Sequence, residues 1–265
     1  MRSLLLAFST YSRIPVPQVK WSEKSNRYSL CFFPVVGAVI GALYLIILAG
    51  AHYLGITHAL TAALLTALPL LVTGGIHMDG FMDVSDARHS YKPKEEKLKI
   101  MKDPHIGAFA VIMAVIYFLL YFGFTAETIS YGEKYAFFGF TGIGRYQVVF
   151  ALSFVYIRVL SGLSVASLRL AKADGMAAEE AKTGKYVKGV LLAELVLCIA
   201  AFAFVDVLYG EVAAAVGLLA FARYRHVAYK EFGGITGDLA GWFLQTAELF
   251  ILISLVLLER VMALL

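Results

Sequence analysis

Cysteine and charge are both scarce in this sequence, and each shortage excludes a class of protein. The two cysteines, Cys31 and Cys198, both lie in apolar runs, which excludes a disulfide framework or a CxxC metal site and predicts two buried thiols. Charged residues make up 16% of the 265 residues and hydrophobic residues 60%, and the mean hydropathy is +0.76. Because several apolar runs approach or exceed about 18 residues, this composition predicts an all-α protein that crosses a membrane repeatedly.

The apolar runs predict about seven transmembrane helices. They lie near residues 30–52, 58–76, 107–124, 139–163, 187–207, 211–229 and 241–263. Gly142, Gly144 and Arg145 interrupt the fourth run, and the sixth is short and rich in alanine. Because no repeat or low-complexity segment separates the runs, we expect residues 1–265 to form a single membrane-embedded domain with short loops.

The basic residues predict the orientation of these helices, because cytoplasmic loops of membrane proteins are enriched in lysine and arginine. With seven spans, 19 of the 23 basic residues fall on one face, in the N-terminal segment and in the loops after the second, fourth and sixth spans. The N-terminus is therefore expected to be cytoplasmic. Of the aspartates, only Asp206 falls on the other face, so we expect any chemistry in the cytoplasmic loops near residues 73–106, 164–188 and 229–241.

Three aspartates lie close together in the segment TGGIHMDGFMDVSDARHS, residues 73–90. At about 100° per helical residue, Asp79, Asp83 and Asp86 would share one face of a helix. Like charges this close repel unless a cation lies among them or one is protonated, and oxygen ligands near a membrane surface suit Mg²⁺ or Mn²⁺. The alternative is a solvated helix start whose aspartates cap the helix and face water. His77 is either a metal ligand or an interfacial hydrogen-bonding residue.

The segment EEKLKIMKDPHIGAF, residues 95–109, combines a predicted amphipathic helix with a helix-start signal. Asp103 precedes a proline, which is typical of an N-cap followed by the first helical residue. A helix N-terminus also attracts anions, and Lys102 lies beside it. Asp103 is therefore expected either as a helix cap or in a site for phosphate.

The segment EFGGITGDLAG, residues 231–241, is a glycine-rich turn directly before the last span, which suits a phosphate or nucleotide cradle. Asp238 would serve it as a cap or a ligand. Inside the spans, ionisable side chains are costly to bury and are functional candidates by default. These are Arg158, Glu194 and Glu248; for Glu194, an interhelical hydrogen bond is an equal alternative.

Several of these segments resemble, in chain order, the signatures of the cobalamin synthases, also called adenosylcobinamide-GDP ribazoletransferases. The main three read GGIHMDGFMDVSDA, LKIMKDPHIGAF, and GGITGDLAG with a following AEL; YSRIPVP and FFPVVGAVIG resemble the family's opening, and Arg158 with AKADG its middle. Two positions depart from the pattern. Ala87 stands where glycine usually follows the third aspartate, and Lys99 where glutamate is usual, which leaves room for an altered substrate choice.

The resemblance implies a multi-pass enzyme of the prokaryotic cell membrane whose active site faces the cytoplasm. It would join adenosylcobinamide-GDP to α-ribazole or its 5′-phosphate and release GMP, using Mg²⁺, and so complete the nucleotide loop of adenosylcobalamin. Such a transfer needs a positioned metal and neutralised phosphoryl charge more than a covalent nucleophile. Asp79 and Asp83 would then bind the metal, and Asp86 would be a further ligand or the base. The implied substrate contacts are Arg13, His77, Lys102, Asp103, Arg158, Gly233, Gly234, Thr236, Gly237, Asp238 and Glu248. Of these, Arg13, Lys102 and Arg158 would bind phosphate, and the 233–238 turn would lie near the nucleotide.

Two other functions would use the same features. A CDP-alcohol phosphatidyltransferase also clusters aspartates, but the further aspartates that its signature requires are missing after Asp86. A transporter would use intramembrane charges such as Glu194 and Arg158, but the polar residues concentrate on one face. The expected partner is the lipid bilayer, and no binding of nucleic acid is expected. It leaves open a homo-oligomer, contact with other corrinoid-assembly enzymes and the choice of acceptor.

Overall fold

The computed structural model describes residues 2–20, 22, 26–132, 135–137, 139–172, 176–182 and 184–264, so the end of the AKADG motif lies outside it. The described chain is helical except for short loops and one two-stranded hairpin. Its helices are α1 (Arg2–Tyr11), α2 (Phe33–Tyr53), α3 (His58–Thr73), α4 (Ile76–His89), α5 (Lys94–Ile100), α6 (Ala108–Gly132), α7 (Arg145–Ser167), α8 (Met176–Ala181), α9 (Gly184–Val205), α10 (Val207–Val227) and α11 (Gly237–Met262). A 3₁₀ turn (Ser29–Phe32) precedes α2, a π-helical turn (Ala228–Phe232) follows α10, and strands β1 (Ala136–Phe137) and β2 (Phe140–Thr141) pair antiparallel with Ala136 opposite Thr141.

Six of the described helices are long and apolar enough to cross a membrane, namely α2, α6, α7, α9, α10 and α11. The short α3 and the following α4 form a bent pair that could count as a seventh crossing, and the two ends of α3 lie at opposite ends of the bundle. Its C-terminal end is at the same end as the start of α2, where the Arg13 N–H donates to the Val72 carbonyl at 2.8 Å. The end of α2 lies at the other end, where His52 packs against Gly142 before α7. The prediction of about seven transmembrane helices is thereby confirmed.

The chain turns by 95° between α3 and α4. Gly74 (φ 67°) and Gly75 (φ 79°) both adopt the left-handed conformation that favours glycine. A Cβ on Gly74 would also lie 2.4 Å from Arg13 Cγ, so this position has no room for a side chain. The turn ends the apolar crossing at Thr73 and directs the polar helix α4 across the end of the bundle.

Helices α7 and α11 form the centre of the bundle, where 83% and 72% of their most apolar windows are buried, compared with 17% for α9. Glycines allow close packing around this centre. A Cβ on Gly37 of α2 would lie 2.3 Å from the Phe154 carbonyl oxygen, and one on Gly41 would lie 2.3 Å from that of Ala151. Such close approach of small residues is typical of helix pairs in membranes.

Several boundaries differ from the sequence prediction; the third span, for example, extends to Gly132, beyond the predicted 107–124. The fourth span begins at Arg145, because the residues before it form the β1–β2 hairpin and Gly142 adopts φ 80°. The prediction that Asp103 caps a helix is wrong, because α6 begins only at Ala108. The Asp103 carboxylate instead accepts hydrogen bonds from the backbone N–H and the ring Nδ1 of His105, which close a tight turn.

Candidate active site

Helix α4 carries Asp79, Asp83 and Asp86 on one face, as predicted from their spacing. All three line a narrow cleft of about 50 Å³ against the segment before α6. Gly107 in that segment makes room for them, because a Cβ there would lie 2.0 Å from the carboxylate oxygens of Asp86. Asp79 is exposed, whereas Asp83 and Asp86 are half-buried. We call these three residues the carboxylate row.

The close crossing of α4 and α11 brings a fourth carboxylate to the row. A Cβ on Gly80 would lie 2.8 Å from Asp238 Cα, and one on Gly241 would lie 2.9 Å from the His77 carbonyl oxygen. Neither helix has room for a side chain at these positions, so the two backbones touch.

Ala87, the departure from the family pattern, is fully buried in the core, so the methyl group faces the protein and not the cleft.

The row is a cluster of uncompensated negative charge. Burial, and then the charges of Asp79, Asp238 and Asp86, raise the pKa of Asp83 to about 6. Within the described ranges, none of the four carboxylates forms a hydrogen bond or ion pair. The donor chemistry fits a hard divalent cation, which takes oxygen ligands. However, no three acidic, histidine or cysteine side chains of the described residues converge into a complete metal site, so the metal assignment stays a prediction.

An enclosed cavity of about 290 Å³ lies on the other side of the α4–α11 crossing. Its lining residues with polar side chains are Tyr11, His77, Lys102, Ser161, Lys172, Glu180, Thr236 and Asp238, and the others include Leu30, Phe33, Val165, Leu170, Gly237 and Leu244. Four predicted site residues of α4 and α11, together with Lys102, therefore share this one cavity. The Tyr11 hydroxyl donates a hydrogen bond to Glu180 Oε1, and burial raises the pKa of Glu180 to about 8.

A third recess, an open hollow of about 750 Å³, lies at the outer edge of α4. Arg13 and Asp79 line it together with Met82 and Phe118. The exposed guanidinium of Arg13 thus lies at the same end of the bundle as the carboxylate row, which is compatible with its predicted contact with phosphate.

Backbone conformation and packing require glycine at two positions of the 231–241 turn. Gly233 adopts φ 82°, and a Cβ on Gly234 would lie 2.5 Å from the backbone of Leu170 and Ala171. This close approach lets Ile235 pair with Leu170, with the Ile235 N–H donating to the Arg169 carbonyl at 2.9 Å. Neither Gly233 nor Gly234 lines the enclosed cavity, so the structure gives no support to their predicted contact with a nucleotide.

The cap of α11 is Thr236, whose hydroxyl accepts the Leu239 N–H at 3.2 Å. Asp238 lies in the first turn of that helix and does not cap it, so of its two predicted roles only that of a ligand remains. Asp103 is exposed and lines none of the three recesses. The hydrogen bonds from the backbone N–H and side chain of His105 lower the pKa of Asp103.

Arg158 and Glu248 are fully buried in the centre of the bundle, away from the three recesses. Arg158 Nη1 lies 3.3 Å from Glu248 Oε1 and donates to the Phe154 carbonyl at 2.9 Å. The guanidinium also lies over the Phe33 ring, 5.6 Å from its centroid. This environment favours an internal ion pair over the predicted contact of either residue with substrate.

Sequence reasoning missed two polar groups at this end. One is the Tyr11–Glu180 pair, whose partners are 169 residues apart. The other is Glu231, which binds Arg88 Nη2 at 3.0 Å and Lys97 Nζ at 2.8 Å and so ties α4 and α5 to the turn before α11. The sequence offers one weak signal for each group. For Glu180 it is the pair of glutamates in MAAEEA, and for Glu231 it is the position close before the Gly233–Gly234 pair.

Similar proteins indicate the family of this chain. The family model described as cobalamin-5-phosphate synthase matches residues 3–256. The chain belongs to the cobalamin-5-phosphate synthase family. A relative from Lachnoclostridium phytofermentans is 41% identical over 98% of this chain and 95% of its own length. Relatives from Clostridium botulinum (strain Alaska E43) and Clostridium perfringens (strain ATCC 13124) are 30% and 32% identical, over 96% and 93% of this chain and 96% and 94% of their own lengths.

All three relatives bear the name adenosylcobinamide-GDP ribazoletransferase. No solved structure matches this chain. The family match covers nearly the whole chain, so it includes the carboxylate row, the enclosed cavity and the hollow of this family member. Neither a CDP-alcohol phosphatidyltransferase nor a transporter is among the named relatives.

Proposed function

We propose that this chain joins adenosylcobinamide-GDP to α-ribazole or its 5′-phosphate and releases GMP. The observation that carries the proposal is the 41% identity over 98% of the chain to a protein named for that transfer. The carboxylate row supports it independently, because uncompensated oxygen ligands beside lysine-lined space suit a reaction at a diphosphate.

The chemistry is a displacement at phosphorus. The acceptor hydroxyl oxygen bonds to the phosphorus that carries the cobinamide arm, the bond from that phosphorus to the bridging oxygen breaks, and GMP leaves with the bond electrons. The hydroxyl proton passes to a carboxylate of the row, for which we propose Asp86 because Gly107 holds it inside the cleft.

We propose that Asp79 and Asp83 hold Mg²⁺, which supplies positive charge to the phosphoryl oxygens when bound. Two carboxylates would suffice if phosphate oxygens and water supplied the remaining ligands. Arg13 and Lys102 would neutralise phosphate from the hollow and from the enclosed cavity. Asp238 would position the row from α11.

We further propose that this end of the bundle faces the cytoplasm of a prokaryotic cell. Arg13, Arg88, Lys97, Arg169 and Lys172 all make contacts at this end of the bundle. The opposite end has Arg145 paired with Asp206 and Arg260 paired with Glu127. An excess of basic residues at one end is typical of the cytoplasmic side of membrane proteins.

The test is GMP release from adenosylcobinamide-GDP and α-ribazole by the protein in its membrane, with and without Mg²⁺. We expect release that requires Mg²⁺ and is lost in Asp79→Ala. The matched control is Glu211→Gln, which changes an exposed carboxylate at the far end of α10. Absence of GMP release in the parent protein would reject the function, and full activity in Asp79→Ala would reject the metal role of that residue.

A further inference from the structure

The outer face of α10 changes from apolar to basic along its length. With the π-helical turn after it, α10 is one of the helices able to cross a membrane, and only 28% of its most apolar window is buried. Leu218 and Ala222 are exposed on this face, and in a bilayer they would contact lipid chains. Towards the end nearest the carboxylate row, the exposed residues become Arg225, His226 and Lys230.

The basic residues line an open groove on this face, which we call the basic groove. Its lining consists of Phe221, Ala222, Arg225, His226, Tyr229 and Lys230. The apolar members lie nearer the middle of the span, and the basic members lie at its end. A phospholipid has the same order of chemistry, with apolar chains towards the middle of the bilayer and a phosphate at its surface.

The positive charge of the basic groove is not compensated by neighbouring carboxylates. Glu231 follows Lys230 in the sequence, but its carboxylate is bound to Arg88 and Lys97 of α4 and α5. Within the ranges that the structure describes, neither Arg225 nor Lys230 forms an ion pair. The groove therefore attracts an anion.

Tyr229 holds two guanidinium groups at the basic groove. The guanidinium carbon of Arg225 lies 5.8 Å from the centroid of the Tyr229 ring, and that of Arg169 lies 5.3 Å from it. The Tyr229 hydroxyl also accepts the backbone N–H of Arg169 at 2.8 Å, and Arg169 Nε donates to the Gly233 carbonyl at 3.1 Å. A guanidinium that stacks on a ring keeps its planar set of N–H donors, which fits the oxygens of a phosphate.

We propose that the basic groove binds the headgroup of an anionic phospholipid, with Arg225 and Lys230 on its phosphate and an acyl chain along Ala222 and Leu218. A lipid fits better than a soluble phosphate, because the groove continues into the apolar outer face of α10. A zwitterionic lipid fits less well, because the basic residues repel its ammonium group. This inference goes beyond the proposed transfer reaction and does not depend on it.

The experiment is a titration of the full chain in detergent, followed by native mass spectrometry, with phosphatidylglycerol and separately with phosphatidylcholine. We expect the parent protein to bind phosphatidylglycerol about tenfold more tightly than phosphatidylcholine. The double variant Arg225→Gln, Lys230→Gln should bind phosphatidylglycerol about 30-fold more weakly, because each basic side chain at a membrane surface contributes a factor of about five. Its affinity for phosphatidylcholine should change less than about twofold.

The matched control is Lys94→Gln, Lys99→Gln, which removes two charges from exposed positions of α5, at the same end of the bundle but outside the basic groove. It should bind phosphatidylglycerol as the parent does. Equal weakening in both double variants would show an effect of net charge alone and overturn the inference, as would parental binding by the Arg225 and Lys230 variant or equal binding of both lipids by the parent. Displacement of the lipid by glycerol 3-phosphate would assign the groove to a soluble phosphate instead. All four positions are exposed, and thermal unfolding confirms that each variant is folded.

Discussion

The carboxylate row and the carboxylates at the other end of the helix bundle differ in how their charge is compensated. At the end distant from the site, Glu259 is buried and accepts hydrogen bonds from the hydroxyls of Tyr135 (2.6 Å) and Tyr209. Arg145 lies 3.3 Å from Asp206, whose carboxylate also caps α10. At the site end, the carboxylate row and Asp238 have no such partners among the described residues.

This difference separates carboxylates with partners, which contribute to stability, from the row, for which we propose a role in chemistry. The same protein pairs Glu231 with Arg88 and Lys97 at the site end, so it could have neutralised the row as well. Four carboxylates that repel each other reduce stability and are retained where a cation or a substrate supplies the missing charge. Variants at the two ends should therefore separate activity from stability.

The largest effect is expected at the row. Asp83→Asn removes a proposed metal ligand, so GMP release should fall about 100-fold or more, measured at saturating substrates. Because the change also removes a like charge, the thermal unfolding temperature should stay equal or rise. A fall in both activity and stability would contradict the contrast between the two ends.

A comparably large effect, on stability, is expected at the centre. Arg158→Met leaves Glu248 buried without its partner, which should lower the free energy of unfolding by about 3–5 kcal/mol. The double variant Arg158→Met, Glu248→Leu should recover most of that loss, measured by thermal unfolding in detergent. It should also recover GMP release. A stable but inactive double variant would instead restore the predicted contact of Arg158 with substrate phosphate.

A smaller effect is expected in the pH dependence of stability. The pKa of Glu180 is raised from 4.5 to about 8 by burial, so the folded protein holds a proton that the unfolded chain releases between these pH values. The free energy of unfolding should therefore fall as the pH rises from about 4.5 to about 8. Glu180→Gln should flatten this part of the curve, whereas Glu179→Gln should not. Equal slopes for all three proteins would show that Glu180 does not titrate in this way.

The smallest effect is expected at the distant end. Glu259→Gln weakens the hydrogen bonds from Tyr135 and Tyr209, which should cost about 1–2 kcal/mol of stability. GMP release per folded molecule should not change. Loss of activity without loss of stability would show that the two ends are coupled through α11.

Local patterns predicted what depends on local spacing. The crossings followed from apolar runs, and the shared face of Asp79, Asp83 and Asp86 followed from helical periodicity. Asp103 was misassigned because a local cap signal competed with a hydrogen-bonded turn that satisfies the same carboxylate. The Tyr11–Glu180 and Arg158–Glu248 pairs join residues 169 and 90 positions apart. Their partners are chosen by helix packing, which no spacing along the chain records.

The shortness of α3 has a consequence for the surrounding lipid. Sixteen helical residues extend about 24 Å, less than the roughly 30 Å of hydrocarbon in an ordinary bilayer. A bilayer crossed by α3 alone would have to thin or admit headgroups beside this helix, at the edge where the hollow with Arg13 and Asp79 opens. Under the proposed function, lipid thickness would then affect access to the carboxylate row, and activity would depend on the length of the lipid chains.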